Sequence, residues 1–193
     1  MGDGRKKYLA SAERANRYHL ERMKKRDLIN TLVVCCLLAL FTGVIPMSCS
    51  YSVGDKPTLK FTAADGTQVD LAALHGKVVI VDFWATWCGP CMAEAKHMVA
   101  LNDAYGPRGL QIIGVSLDED ASRMASTAKQ LGFDWPQYFD GKVWKTEPLN
   151  KWGVDSIPRT FIIGPDGKIV WTGHPAQIDQ PLKEAFARLP NSE

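Results

Sequence analysis

The sequence predicts a three-layer α/β domain on a mixed central sheet, and three observations carry that prediction. An apolar, β-branched run, Val78-Val79-Ile80-Val81-Asp82-Phe83-Trp84, leads into Cys88-Gly89-Pro90-Cys91 and then into a helical pattern. A second apolar run, 110–117, follows that helix. Two late runs, 160–163 and 168–171, are separated by Pro165-Asp166-Gly167. Strands on either side of a helix pair in parallel through a right-handed crossover, whereas strands joined by a tight turn run antiparallel. Both kinds together require a mixed sheet with helices on its two faces.

The elements follow in chain order. Residues 1–27 are polar and basic, with nine Lys/Arg against four Asp/Glu, a net of +5. Residues 28–47 contain no charge, and about twenty apolar residues is what a helix needs to span a bilayer. The basic flank predicts a cytoplasmic segment 1–27 and a transmembrane anchor 28–48, with the domain 51–193 outside the cytosol. Two other readings stay open: a lipoprotein with Cys49 lipidated, and a cleaved leader. Cys35 and Cys36 read as apolar filler of the membrane helix. Residues 50–193 carry fourteen Lys/Arg against seventeen Asp/Glu, a net of −3, which gives no support for nucleic-acid binding.

Within the domain, 58–63 and 67–71 flank Asp65-Gly66 and predict an added N-terminal β-hairpin. A helical turn is expected over 71–74, the central strand over 78–84, and a helix from the cysteines to about residue 105. Asp118-Glu119-Asp120 reads as the acidic start of a helix running to Leu131-Gly132. Residues 133–150 read as a less regular stretch. Ile157-Pro158 opens the third core strand, and Ile178, Leu182, Phe186 and Leu189 mark a closing amphipathic helix.

The chemistry concentrates at the Cys-x-x-Cys pair. Cys88 falls at a strand-to-helix junction, where the helix dipole favours a thiolate. Pro90 suits the first helical turn, since its missing N–H has no partner there in any case. Cys88 is the expected attacking thiol, and Cys91 the thiol that resolves a mixed disulfide. Half of a zinc site is the competing reading; no second Cys-x-x-Cys or Cys/His cluster exists to complete it, and no metal is expected.

The motif from Val81 through Cys91 resembles the active-site signature of thioredoxins, and residues 51–193 resemble the TlpA-like branch of membrane-tethered extracytoplasmic thioredoxins, which includes the cytochrome c maturation reductases. The resemblance implies a thioredoxin fold, a cis Ile157-Pro158 bond beside the cysteines, and a substrate-binding rim of Trp87, Gly89, Pro90, Ile157 and Pro158. It links Gly-Pro between the cysteines to a low potential, and it implies protein thiol/disulfide clients and a membrane thiol electron donor. No cofactor beyond the Cys88–Cys91 couple is implied. Asp82 matches the buried aspartate of thioredoxins, a proton relay; the alternatives are an outward-facing strand residue or a partner for Lys77. Glu94 matches a glutamate of TlpA-like reductases and lies on the Cys91 side of the helix; the alternative is an exposed helix glutamate. The proline that often follows and kinks that helix is absent here, where Ala95-Lys96-His97 stand. Arg159 departs from the family's usual small residue, and reads either as a selector of acidic partners or as a solvated charge. Trp84 reads as core, Trp87 as a partly exposed lid, and His75, His97 and His174 receive no role.

These features predict an extracytoplasmic thiol:disulfide oxidoreductase. Two alternatives are weaker. A peroxiredoxin-like peroxidase needs Thr three residues before its cysteine, where Ala85 and Cys88 stand instead. A Sco-like metal-binding chaperone uses Cys-x-x-x-Cys plus a distal histidine, one residue longer than this pair.

Overall fold

A computed structural model describes residues 50–189. The basic segment 1–27, the anchor 28–48 with Cys35 and Cys36, and Cys49 lie outside the described residues. In chain order the described elements are β1 (Lys60–Thr62), β2 (Gln68–Asp70), β3 (Val79–Trp84), α1 (Gly89–Tyr105), β4 (Gln111–Ser116), α2 (Ala121–Leu131), β5 (Gln137–Tyr138), α3 (Glu147–Trp152), β6 (Arg159–Ile163), β7 (Ile169–Gly173) and α4 (Asp179–Phe186). A 3-10 turn, Leu71–Leu74, follows β2 and is capped by Asp70, whose carboxylate accepts from the Ala72 N–H at 3.0 Å.

β1 and β2 pair antiparallel as a separate two-stranded sheet, with Lys60 opposite Asp70. The main sheet has the order β5-β4-β3-β6-β7. β3, β4 and β5 run parallel, and β6 and β7 are antiparallel to their neighbours. All six residues of β3 are buried, so both of its faces are covered. The side chains alternate across those faces. Phe83 packs against Trp152 of α3 and Phe161 of β6, with ring centroids 5.9 and 5.8 Å away. Trp84, on the other face, meets Phe133 at 5.1 Å, which stacks on Trp135 at 4.5 Å. Burying each such ring contributes on the order of 2–3 kcal/mol.

Two expectations need correction. The irregular stretch 133–150 holds β5, a 3-10 turn Val143–Lys145, and the start of α3. β5 is two residues long, too short to show a period, and its place in the sheet comes from pairing with β4. The acidic run also divides. Asp120 alone caps α2, accepting from the Arg123 N–H at 3.0 Å, and α2 ends at Gly132 with φ 81°. Asp118 is buried and points elsewhere, because three donors of the active-site loop and β4 claim its carboxylate.

Candidate active site

The cysteines lie at the C-terminal end of β3, between parallel β4 and antiparallel β6. Ligands of open α/β sheets bind in the crevice outside the carboxyl ends of the strands. Cys88 is the N-cap of α1, and the Cys91 N–H lies 3.2 Å from its Sγ. A donor at a helix N-terminus favours negative charge on that sulfur. Cys88 and Cys91 are joined as a disulfide, the oxidised form of the couple. Pro90 occupies the first turn, and α1 runs for 17 residues to Tyr105.

A cleft of about 410 Å³ opens beside the disulfide, bordered by Trp87, Cys88, Pro90, Trp144 and Ile157. Cys88 borders it, and Cys88 and Cys91 are equally buried, each at 5% exposure. Gly89 lines the same cleft, whereas Pro158 sits next to it in the chain, half-buried, with a cis Ile157–Pro158 bond. The geometry therefore gathers Trp87, Gly89, Pro90 and Ile157 around Cys88. Trp87 is 47% exposed and donates from its indole N–H to the Leu117 carbonyl at 3.3 Å. Trp84 is core, its N–H donating to Gln137 Oε1 at 2.9 Å.

Asp82 is buried, at 5% exposure, which removes the outward-facing reading. Lys77 is exposed, and the partner of Asp82 is Thr160 across the β3–β6 pair, donating from Oγ1 at 2.7 Å. Burial pushes the Asp82 carboxyl up to about 6; the Thr160 hydrogen bond opposes that rise, and the charge of Glu94 adds to it. Glu94 is half-buried, and its Oε2 lies 3.4 Å from Nδ1 of His97, whose Nε2 lies 3.2 Å from Asp179 of α4. His97, given no role from sequence, ties the active-site helix to the last helix.

Asp118 is the residue that sequence reasoning misplaced. Its carboxylate accepts from the Thr86 N–H at 3.1 Å, from Thr86 Oγ1 at 2.6 Å and from Ser116 Oγ at 2.8 Å. These bonds fix the loop two residues before Cys88. Nothing in a local pattern distinguishes Asp118 from Glu119 and Asp120, since the partner, Thr86, lies 32 residues away. Trp144 was also missed, and its ring centroid lies 6.1 Å from that of Trp87. Arg159 pairs at 3.9 Å with the exposed Asp155. Among the described residues, no three His, Cys, Asp or Glu side chains gather as a metal-binding group.

The redoxin family model matches residues 52–189. The chain is 30% identical over 155 residues to the thiol-disulfide oxidoreductase ResA of Bacillus subtilis, covering 77% of this chain and 85% of that protein. It is 28% identical over 176 residues to ResA of Bacillus cereus, covering 86% and 99%. Among solved structures it is similar to one assigned as the thiol:disulfide interchange protein DsbE of Chlorobium tepidum, with TM-score 0.64, 28% identity, and 71% of this chain and 99% of that one covered.

Proposed function

The chain belongs to the redoxin family and is a thiol-disulfide oxidoreductase, and from that premise we propose that it reduces disulfides in protein clients outside the cytosol. One observation carries the proposal: Cys88 borders an open cleft while its Sγ accepts a hydrogen bond at the start of α1. In the reduced enzyme the Cys88 thiolate attacks one client sulfur, forms a mixed disulfide and expels the other client sulfur, which takes up a proton. Cys91, having lost its proton, then attacks Cys88 Sγ. The first client sulfur leaves as a thiol and the Cys88–Cys91 disulfide forms, so two electrons pass to the client. Asp82 is the proposed acceptor of the Cys91 proton, because its carboxyl titrates near neutrality, at about 6. Glu94 tunes Asp82 through its charge. Trp87, Gly89, Pro90, Ile157 and Pro158 form the proposed client rim.

The returning disulfide needs a dithiol donor, for which a membrane thiol carrier is the proposed source, with residues 28–48 as anchor. Cytochrome c maturation is the proposed setting, which the TlpA-like resemblance supports. The test is the equilibrium reduction potential of the Cys88–Cys91 couple in the full chain, poised against defined thiol buffers. A value near or below about −250 mV is expected, and one above about −150 mV reverses the assigned direction of electron flow.

A further inference from the structure

The proposed client rim includes one more residue, contributed by the segment that the sequence leaves irregular. Trp144 is 46% exposed, nearly the same as Trp87, and the two indoles form a tilted pair whose planes meet at 52°. Among the described residues, this aromatic pair is apolar surface left half in water beside the redox centre. The backbone is committed to presenting it. Val143, just before Trp144, has φ 53°, a left-handed conformation that a β-branched residue rarely adopts. Such a conformation persists only where surrounding bonds hold it. Here Asp140 supplies them, accepting from Tyr138 OH at 3.0 Å, from Thr146 Oγ1 at 2.8 Å and from the Lys142 N–H at 3.0 Å. Tyr138 belongs to β5 and the buried Thr146 precedes α3, so the short loop between two fixed elements is clasped from both sides.

We infer that Trp144 is a specificity-determining residue, and that with Trp87 it receives an apolar side chain next to the client's cysteine. The inference rests on the reading of this site as a centre that reduces protein clients. The chemistry of the cleft favours an apolar occupant over a charged one. Trp87, Trp144, Pro90 and Ile157 border it, while its charged member, Asp155, is 86% exposed to water, accepts from Ser156 Oγ at 3.1 Å and lies 3.9 Å from the Arg159 guanidinium. A second cleft of about 510 Å³ shares both indoles and includes Glu119 and Asp120 beside Arg123, so a basic neighbour is the rival occupant.

The experiment uses the reduced full chain and three synthetic peptides, each closed by one internal disulfide. The peptides differ only in the residue before the first cysteine: Phe, Ser or Lys. The wild type is expected to reduce the Phe peptide about tenfold faster than the Ser peptide, the scale set by burying one aromatic side chain against two others. Trp144→Ala is expected to bring that ratio to within about twofold of unity, and Trp144→Phe to preserve most of it. A wild-type ratio below two, a preference for Lys, or an unchanged ratio in Trp144→Ala overturns the assignment of Trp144 alone. A wild type that reduces none of the peptides overturns the reductase reading, and this inference with it.

Discussion

Asp82 shows how one buried side chain couples chemistry to stability. Its folded pKa of about 6 lies above the ordinary carboxylate value of 3.8, so the fold favours the neutral acid. Its contribution to stability is therefore fully present below pH 3.8 and is lost as the pH rises through about 6. Replacement by Asn removes the titration but keeps an oxygen for Thr160. The stability difference between Asp82→Asn and wild type should accordingly move in favour of the variant by about 2 kcal/mol between pH 4 and pH 7. Urea unfolding at the two pH values reads this directly, because any constant cost of the amide cancels. In the proposed proton-accepting role, the wild-type rate of client reduction inflects near pH 6, and Asp82→Asn flattens that inflection. A variant with the wild-type inflection removes Asp82 from the mechanism.

At the scale of elements, β4 and β5 meet with unusually little room. Gly114 lies opposite Gln137, and a Cβ at Gly114 would land on the Gln137 side-chain amide. That amide accepts the buried Trp84 N–H at 2.9 Å and donates to the Trp135 carbonyl at 3.2 Å. Gly114→Ala should displace it and leave the Trp84 indole without a partner. Leaving a buried donor unpaired costs about 1–3 kcal/mol, and a thermal or denaturant melt of the variant measures it. Unchanged stability would mean that Gln137 finds a second position that keeps the bond. The stretch of chain that holds β5 also supplies α3, whose Trp152 packs on Phe83, and the turn that carries Trp144. One stretch of chain thus covers the sheet on one side of β3 and reaches the cleft.

For the whole molecule, the proposed anchor decides where the domain works. Among the described residues no helix is long and apolar enough to cross a membrane, and residues 28–48 lie outside them. If those residues span the bilayer, the full chain stays in the membrane pellet after alkaline carbonate extraction, and Cys49→Ser stays there too. Deletion of 28–47 releases it. Release by Cys49→Ser alone would transfer anchoring to a lipid on that cysteine.

How much the sequence reveals depends on how far apart the interacting residues are. The central strand, the Cys88–Cys91 pair at the start of a helix, the parallel and antiparallel connections and the buried place of Trp84 were all legible. Each arises from local periodicity, a motif of four residues or a short turn, and those act between near neighbours in the chain. Tertiary structure alone decided the rest. Asp118 serves Thr86 rather than capping a helix, Asp82 meets Thr160, His97 bridges Glu94 to Asp179, and β5 takes its place on the sheet edge. Those partners are separated by 32 residues for Asp118 and 78 for Asp82, and only the packed sheet brings them within hydrogen-bond distance. A carboxylate's role follows from the donors that surround it, and those donors are assembled by the fold.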